Sequence, residues 1–304
     1  MAATLIDGTA MARQVYSELK ERVIALSRRG VRPGLAAIVV GDNAASEVYL
    51  RNKIRACAEV GLHSELHRFG TESPEGGIAK LIGRLNADPD IHGILVQLPL
   101  PPQLDAERIL QMLHPDKDVD GFNWRNLGSM VTGHTLFAPC TPLGVMTMLD
   151  REKIDVEGRN AVVIGRSINV GKPTALLLIA RGATVTVCSS KTRDLRQHTS
   201  LADILVVAVG KPALVNGAML KPGAVVIDVG INRLPDGKLA GDVDFASASQ
   251  VASRITPVPG GVGRMTVAML IANTVTAAER ITRAEWEFPV QQPASPVISS
   301  KETG

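Results

Sequence analysis

Tyr49 and Lys53 stand four residues apart in a stretch whose pattern predicts a helix over 44–60. At ~100° per residue, Leu50, Ile54, Cys57, Ala58 and Val60 form the buried stripe of that helix, and Arg51, Asn52, Arg55 and Glu59 face water. Tyr49 and Lys53 fall side by side on the border. An amine partly desolvated beside a phenol can serve in proton transfer, and the same spacing also suits a snorkelling surface pair. Gln97 closes an apolar run that leads into Pro99-Leu100-Pro101-Pro102, at the end of a strand where α/β ligand sites collect. Asp116, Asp118 and Asp120 alternate just beyond it; no closing Glu of a calcium loop follows Gly121. One of these carboxylates is better used to read the paired N–H groups of a heterocycle. His92, His114 and His134 lack metal spacing, so ordinary polar contacts and no metal site are expected.

A second group carries phosphate chemistry. Gly165-Arg166-Ser167-Ile168-Asn169-Val170-Gly171-Lys172-Pro173 follows the apolar run Asn160 to Ile164 and precedes a helix. A glycine turn from strand to helix aims unpaired N–H groups and the helix dipole at an anion. The segment is neither a P-loop nor GxGxxG, so a nucleotide cradle and a plain tight turn both stay open. The next strand ends in Cys188-Ser189-Ser190-Lys191-Thr192, without the acid that usually binds ribose. With Arg166 and Lys191 nearby, a 2′-phosphate would be welcome, which favours NADP over NAD. Pro257-Val258-Pro259-Gly260-Gly261-Val262-Gly263-Arg264 opens the last long helix, and its glycines permit close approach of the main chain to a ligand.

The elements that must position these residues alternate along the chain. Apolar runs at Leu35–Val40, Ile91–Leu98, Ala161–Ile164, Thr184–Val187, Ile204–Val209 and Val225–Val229 read as strands buried on both faces of a parallel sheet. Helical stretches lie near 10–29, 44–60, 75–87, 105–113, 142–150, 171–181 and 265–286, which argues an α/β chain with covered sheets. The 304 residues suggest two domains, and the net charge, 33 − 30 = +3, is too small and scattered to imply nucleic acid. Leu113 to Pro142 has no clear period and reads as a long connection between the domains. No apolar stretch reaches the ~18 residues that span a bilayer, and no signal peptide is evident at Met1 to Gly8. Three cysteines without a CxxC pair suit a reducing compartment, so a cytoplasmic protein is expected. The tail from Phe288, rich in Pro and Ser, is expected to be disordered.

Taken together, these segments resemble the bifunctional methylenetetrahydrofolate dehydrogenase/methenyltetrahydrofolate cyclohydrolase family. The resemblance rests on Tyr49 with Lys53, Gln97 to Pro101, Lys117 to Phe122, Pro139-Cys140-Thr141-Pro142, Val163 to Ser167 with Val170-Gly171, Ile227 to Asn232, Gly241 to Phe245 and Thr256 to Gly263. It implies an α/β catalytic, folate-binding domain (1–121 with 266–286) and a doubly wound Rossmann-type NADP-binding domain (139–265), with a cleft between them and a tail at 287–304. It further implies oxidation of 5,10-methylenetetrahydrofolate with NADP, hydrolysis of the methenyl product to 10-formyltetrahydrofolate, and a homodimer.

Carried over residue by residue, Lys53 is the general acid/base, supported by Tyr49 and Gln97, and Asp120 binds the pterin. Gly165, Arg166, Ser167, Ser190 and Ile231 hold NADP, with Arg166 and Ser190 near the 2′-phosphate. Val96, Gln97, Leu98 and Pro259, Gly260, Gly261, Val262 and Gly263 line the folate pocket. The chain departs from the family pattern at Arg264, where Pro is usual, and at Ser189, where many relatives carry His. The alternatives are a folate- or nucleotide-binding paralogue without activity, and a dehydrogenase alone, which would not need Lys53.

Overall fold

The structure is a computed structural model and describes residues 3–42 and 44–287. The expected disordered tail lies outside the described residues, apart from Glu287 at the end of the last helix. The first half contains β1 (Thr4–Leu5), α1 (Gly8–Ser27), β2 (Gly34–Val40), α2 (Ala44–Val60), β3 (His63–Phe69), α3 (Glu75–Ala87), β4 (Gly93–Val96), α4 (Ala106–Gln111) and α5 (Trp124–Val131). The second contains α6 (Cys140–Arg151), β5 (Asn160–Ile164), α7 (Gly171–Ala180), β6 (Thr184–Cys188), α8 (Leu195–Thr199), β7 (Ile204–Val207) and β8 (Val225–Asp228). It ends with the hairpin β9 (Asn232–Arg233) and β10 (Leu239–Ala240), then α9 (Phe245–Ala248), β11 (Arg254–Ile255) and α10 (Val262–Glu287).

Two parallel sheets result. One has the order β3-β2-β4, the other β1-β11-β8-β7-β5-β6. β2 in the smaller sheet and β5 in the larger are each flanked on both sides by strands that follow them in the chain, so the order reverses beside β2 and beside β5. Crossover connections diverge at such points and leave a crevice at the carboxyl ends of the strands. β2 buries every residue: Leu35, Ala37 and Val39 face one core with α1, α2, α6 and α10, and Ala36, Ile38 and Val40 face another with α3 and α4. Apolar side chains on both faces are what the uninterrupted valine and isoleucine runs require.

The structure departs from the sequence reading in several places. Thr184–Cys188 is not buried on both faces, because β6 is the last strand of its sheet. β3, HSELHRF, shows no apolar run at all; it too is an edge strand, and His63, Glu65 and His67 form a ladder on one face, with Nε2 to carboxylate distances of 3.3 and 2.9 Å. β1, at the start of the chain, pairs with β11 at the far edge of the second sheet. The long connection contains α5, whose N-cap Asn123 accepts from the Arg125 N–H at 2.9 Å. On α2 the buried face is Leu50, Lys53, Ala56, Cys57 and Val60, while Ala58 is exposed. The helix is turned so that this face meets α1 and α10.

Candidate functional site

Lys53 reaches the crevice of the smaller sheet from the middle of α2. Its side chain is buried, and Nζ donates to Gln97 Oε1 at 3.0 Å. Gln97 follows β4 directly, is fixed by its own N–H to the Ile38 carbonyl at 2.9 Å, and donates its Nε2 to the Leu98 carbonyl at 2.7 Å. That second bond orients the amide so that its oxygen faces the amine. Lys53, Gln97, Leu98 and Asp120 line one cavity of about 250 Å³, together with Asn169, Val170 and Thr266. No carboxylate stands within ion-pair distance of Lys53 among the described residues. Tyr49 lies one turn before Lys53 on α2, and its side chain falls outside the described residues. Val96 sits in the core with Ile38 and Ile94 and lines neither cavity described here; its contribution is to place Gln97.

The three acids of the connecting loop separate by role. Asp116 is near His114, 3.8 Å away at the surface. Asp118 is fully buried and accepts from the N–H groups of Gly121 (3.1 Å) and Asn123 (2.7 Å) and from Asn126 Nδ2 (2.9 Å). Burial pushes its carboxyl above the usual range, the nearby Asp120 charge adds to it, and the donors of Asn123 and Asn126 oppose that shift. Asp120 is the one that enters the cavity. It adjoins the buried Cys140 thiol, which burial, and then the charge of Asp120, push well above its ordinary value. Sequence reasoning missed Asn273. Its Nδ2 donates to the carbonyls of Val119 (2.8 Å) and Ala138 (3.3 Å), tying α10 to the loop just before Asp120. The signal was a single Asn in an otherwise apolar stretch of the last helix.

The second group of residues gathers at the carboxyl end of the larger sheet. Gly165 has φ +121, and a Cβ there would stand 2.2 Å from the Ala208 carbonyl oxygen. A Cβ on Gly171 would lie 2.2 Å from the Gly165 carbonyl oxygen. The turn is therefore drawn tight, and Lys172 N donates to the Ser167 carbonyl at 3.0 Å. Ser167 Oγ accepts from Val170 N (3.2 Å) and Gly171 N (3.4 Å), which leaves its own hydrogen to donate. Ile164 pairs with Cys188, so Arg166 and Ser190, each two residues further on and exposed, emerge at the same sheet end. Glycine turn, helix N-terminus, hydroxyls and an exposed guanidinium fit a phosphorylated dinucleotide.

Ile231 and Pro259 to Gly263 line a different cavity, of about 570 Å³. Ile231 packs on the loop so closely that a Cβ on Gly263 would meet its Cδ1 at 3.0 Å. Lys53, Gln97, Leu98 and Asp120 thus line one cavity and Ile231 with Pro259 to Gly263 another, both walled by α2 and the first turns of α10, while Gly165, Arg166, Ser167 and Ser190 line neither. Two buried acids hold the loops beneath Ile231. Asp242 accepts from Val209, Gly210 and Lys211 N–H groups at 2.7, 2.9 and 2.8 Å, and from Asn232 Nδ2 at 2.8 Å. Asp228 accepts from Gly230, Asp242 and Val243 N–H groups at 2.9, 3.0 and 2.9 Å.

Burial raises the Asp228 carboxyl from 3.8 to about 6, with the nearby Asp242 charge adding to it and the three N–H groups opposing. An acid that binds its proton more tightly folded than unfolded stabilises most below its unfolded value. Its contribution is lost as pH rises from about 4 through about 6. The melting temperature should show a downward component over that window, and Asp228→Asn should remove it while lowering stability throughout. Differential scanning fluorimetry across pH 4–7 checks both; parallel profiles for the two proteins would refute the assignment.

The comparisons agree with this geometry. The family model for the tetrahydrofolate dehydrogenase/cyclohydrolase catalytic domain matches residues 6–120, and that for the NAD(P)-binding domain matches 139–282. The chain is 58% identical over 280 residues to the bifunctional protein FolD of Dechloromonas aromatica, covering 92% of this chain and 99% of that protein. The crystal structure of the FolD methylenetetrahydrofolate dehydrogenase/cyclohydrolase of Campylobacter jejuni is 47% identical, with a TM-score of 0.91, over 92% of this chain and all of that one. The Trypanosoma brucei dehydrogenase-cyclohydrolase, solved with NADP and an inhibitor, is 39% identical with a TM-score of 0.90, over 93% of this chain and 100% of that one. With both domains matched in order and the crevices of both sheets furnished as such chemistry needs, this chain belongs to the tetrahydrofolate dehydrogenase/cyclohydrolase family.

Proposed function

We propose that the chain oxidises 5,10-methylenetetrahydrofolate to the 5,10-methenyl compound with NADP and then hydrolyses it to 10-formyltetrahydrofolate. The observation that carries this reading is the convergence of Lys53, Gln97 and Asp120 on one cavity that Asn169 and Val170 of the cofactor turn also line. NADP, when bound, supplies the hydride acceptor; the oxidation asks of the protein only position and exclusion of water. Asp120 pairs with the N–H groups of the pterin and fixes the ring. Lys53 Nζ takes a proton from the water that adds to the methenyl carbon and returns one to the nitrogen that leaves it. Gln97 holds the amine in place for both transfers. Leu98 and Pro259 to Gly263 shape the folate pocket, and Tyr49, one turn from Lys53 on α2, supports the amine in its role.

Gly165, Arg166, Ser167 and Ser190 hold the phosphates and ribose of NADP, with Ile231 at the opposite end. Arg166→Gln is expected to weaken NADP about tenfold and NAD hardly at all, since a charge-assisted bond to the 2′-phosphate is lost. Fluorescence titration with both cofactors reads this, and equal weakening would place Arg166 elsewhere.

The chain has an N-terminal folate-binding domain and a second, NADP-binding one, with α10 packing back against α1, α2 and α6. The unpaired edge of β6, with Val187 45% exposed, and Ile179 of the neighbouring α7, 55% exposed, support assembly of two copies. Among the described residues no helix is long and apolar enough to cross a membrane, and the three cysteines are unpaired and buried, which supports a cytoplasmic enzyme.

The decisive experiment supplies the purified protein with 5,10-methylenetetrahydrofolate and either NADP or NAD. Reduced cofactor and methenyl product are followed separately. NADP reduction with little methenyl accumulation is expected; cofactor binding without turnover would mean a binding paralogue.

A further inference from the structure

Nearly every polar side chain of the Lys53 cavity already has a partner within the protein. Lys53 Nζ donates to Gln97 Oε1 at 3.0 Å, and Gln97 Nε2 to the Leu98 carbonyl at 2.7 Å. Thr266 Oγ1 donates to the Val262 carbonyl at 3.2 Å. Thr141 Oγ1, 3.0 Å away, therefore donates to Thr266, and both hydroxyl hydrogens are spent inside the protein. The Cys140 thiol donates to the Val119 carbonyl at 3.3 Å and adjoins Asp120. Asn169 is the exception. It lines the same cavity, and its half-buried carboxamide has no hydrogen-bond partner among the described residues. An amide whose two donor hydrogens and acceptor oxygen are left open in a partly closed space calls for a ligand or a water to take them up.

The turn that carries Asn169 is fixed on both sides of it. Before it, Ser167 Oγ accepts from the N–H groups of Val170 and Gly171. After it, the Val170 carbonyl accepts from both N and Oγ1 of the buried Thr174, at 2.9 and 2.7 Å. At the tip, the apolar Ile168 is 49% exposed while the polar Asn169 lines the cavity. A tip arranged for burial of apolar surface alone would place these two side chains the other way round. Such a local reversal of the usual order marks a residue kept for function.

The hydrolytic step has one need that the groups assigned above do not meet. Asp120 is spent on the pterin, and Lys53 with Gln97 on the proton. The oxygen that adds to the methenyl carbon begins as water and ends as the formyl carbonyl oxygen, and it lacks a donor. We propose that Asn169 Nδ2 donates a hydrogen bond to that oxygen, which makes Asn169 a catalytic residue for hydrolysis. One lone pair of the water accepts from Asn169, the other forms the C–O bond, and one O–H hydrogen passes to Lys53. The carbon–nitrogen bond at position 5 then breaks, and that nitrogen takes the proton back from Lys53. The remaining hydroxyl proton leaves to solvent as C=O forms, and the positive charge of the methenyl compound departs with it. A donor held in place before the reaction acts strongly where Leu98, Phe122, Val170 and Leu270 make the surroundings apolar. The proposal rests on the folate reading above and adds to it a group that the cofactor turn supplies to the second reaction.

The test supplies purified protein with 5,10-methenyltetrahydrofolate alone, without NADP, so that loss of methenyl absorbance reads hydrolysis directly. Asn169→Leu, similar in size and without a donor, should lower kcat about 100-fold and move KM by less than about threefold. Asn169→Asp, the same shape with acceptor oxygens only, should be at least as slow near neutral pH. Asn169→Gln, which keeps the carboxamide on a longer arm, should fall between Asn169→Leu and the wild type. Undiminished hydrolysis in Asn169→Leu, or a loss that lies wholly in KM, would overturn the proposal and leave the folate reading intact. A loss of hydrolysis matched by equal losses of NADP affinity and melting temperature would make Asn169 a support of the turn, and also overturn it. A wild type that fails to hydrolyse the methenyl compound would sink the functional reading and the proposal together, an outcome that the wild type alone reveals.

Discussion

Lys53→Met is expected to abolish hydrolysis of the methenyl compound and to leave dehydrogenase activity measurable. The substitution keeps a long unbranched side chain in a site that is already buried, so α2 should hold its packing against α1 and α10. It removes the one donor that reaches Gln97 Oε1 at 3.0 Å. Positioned proton transfer contributes roughly 10²–10⁴-fold, and the cyclohydrolase rate should fall by that much. The oxidation needs no protein acid, and its loss should be smaller, arising from the disturbed ring position. The measurement is methenyl absorbance in the coupled assay: NADP reduction should continue while methenyl product accumulates. Gln97→Ala should follow in the same direction with a smaller effect, because the amine loses its anchor and not its chemistry. Undiminished hydrolysis in Lys53→Met would remove Lys53 from the proton path.

That prediction depends on a contact whose existence no spacing could reveal. Lys53 and Gln97 are 44 positions apart, and each became interesting in the sequence for a local reason: one for its helical neighbour Tyr49, the other for the strand end it occupies. The central strands were legible because burial on both faces demands apolar side chains, and β2, β4 and β7 carry no polar residue, β5 none after Asn160 and β8 none before Asp228. The edge strands were not. β3 carries two His, a Glu and an Arg because its outer margin meets water, and propensity alone cannot outweigh that polarity. β1 is two residues long and owes its existence to β11, some 250 positions away. The loop acids were narrowed to one class of role without deciding among them. The choice follows from burial: Asp118 spends its oxygens on Gly121, Asn123 and Asn126, and Asp120 is the one of the three that lines the cavity. The resemblance to a family named the chemistry, and the structure adds the supports, Asp118, Asn273, Asp228 and Asp242, that no catalytic motif announces.

Gly165→Ala should have the largest effect on cofactor binding. Its φ of +121 is a conformation that a residue with a side chain adopts only under strain, and the added Cβ would stand 2.2 Å from the Ala208 carbonyl oxygen. Neither neighbour can yield cheaply. Ala208 N donates to the Ile164 carbonyl at 2.8 Å and Gly165 N to the Cys188 carbonyl at 2.9 Å, so the turn is bonded to the strands on both sides. Relief requires the ends of β5 and β7 to part, which costs on the order of 3 kcal/mol from overpacking and backbone strain together. In a chain of this size that is a fall in melting temperature of roughly 5–10 °C. The same displacement carries Arg166 and the Ser167 hydroxyl away from the phosphates, and NADP affinity should fall by more than about tenfold. Folate binding to the Lys53 cavity should change far less, since Gln97 and Asp120 are set by β4 and by the loop that Asp118 holds. Calorimetric titration with NADP and with a folate, on the same preparation, separates the two. Loss of both affinities in equal measure would mean that the cavities are not independently built, and retention of NADP binding would remove the glycine turn from the cofactor site.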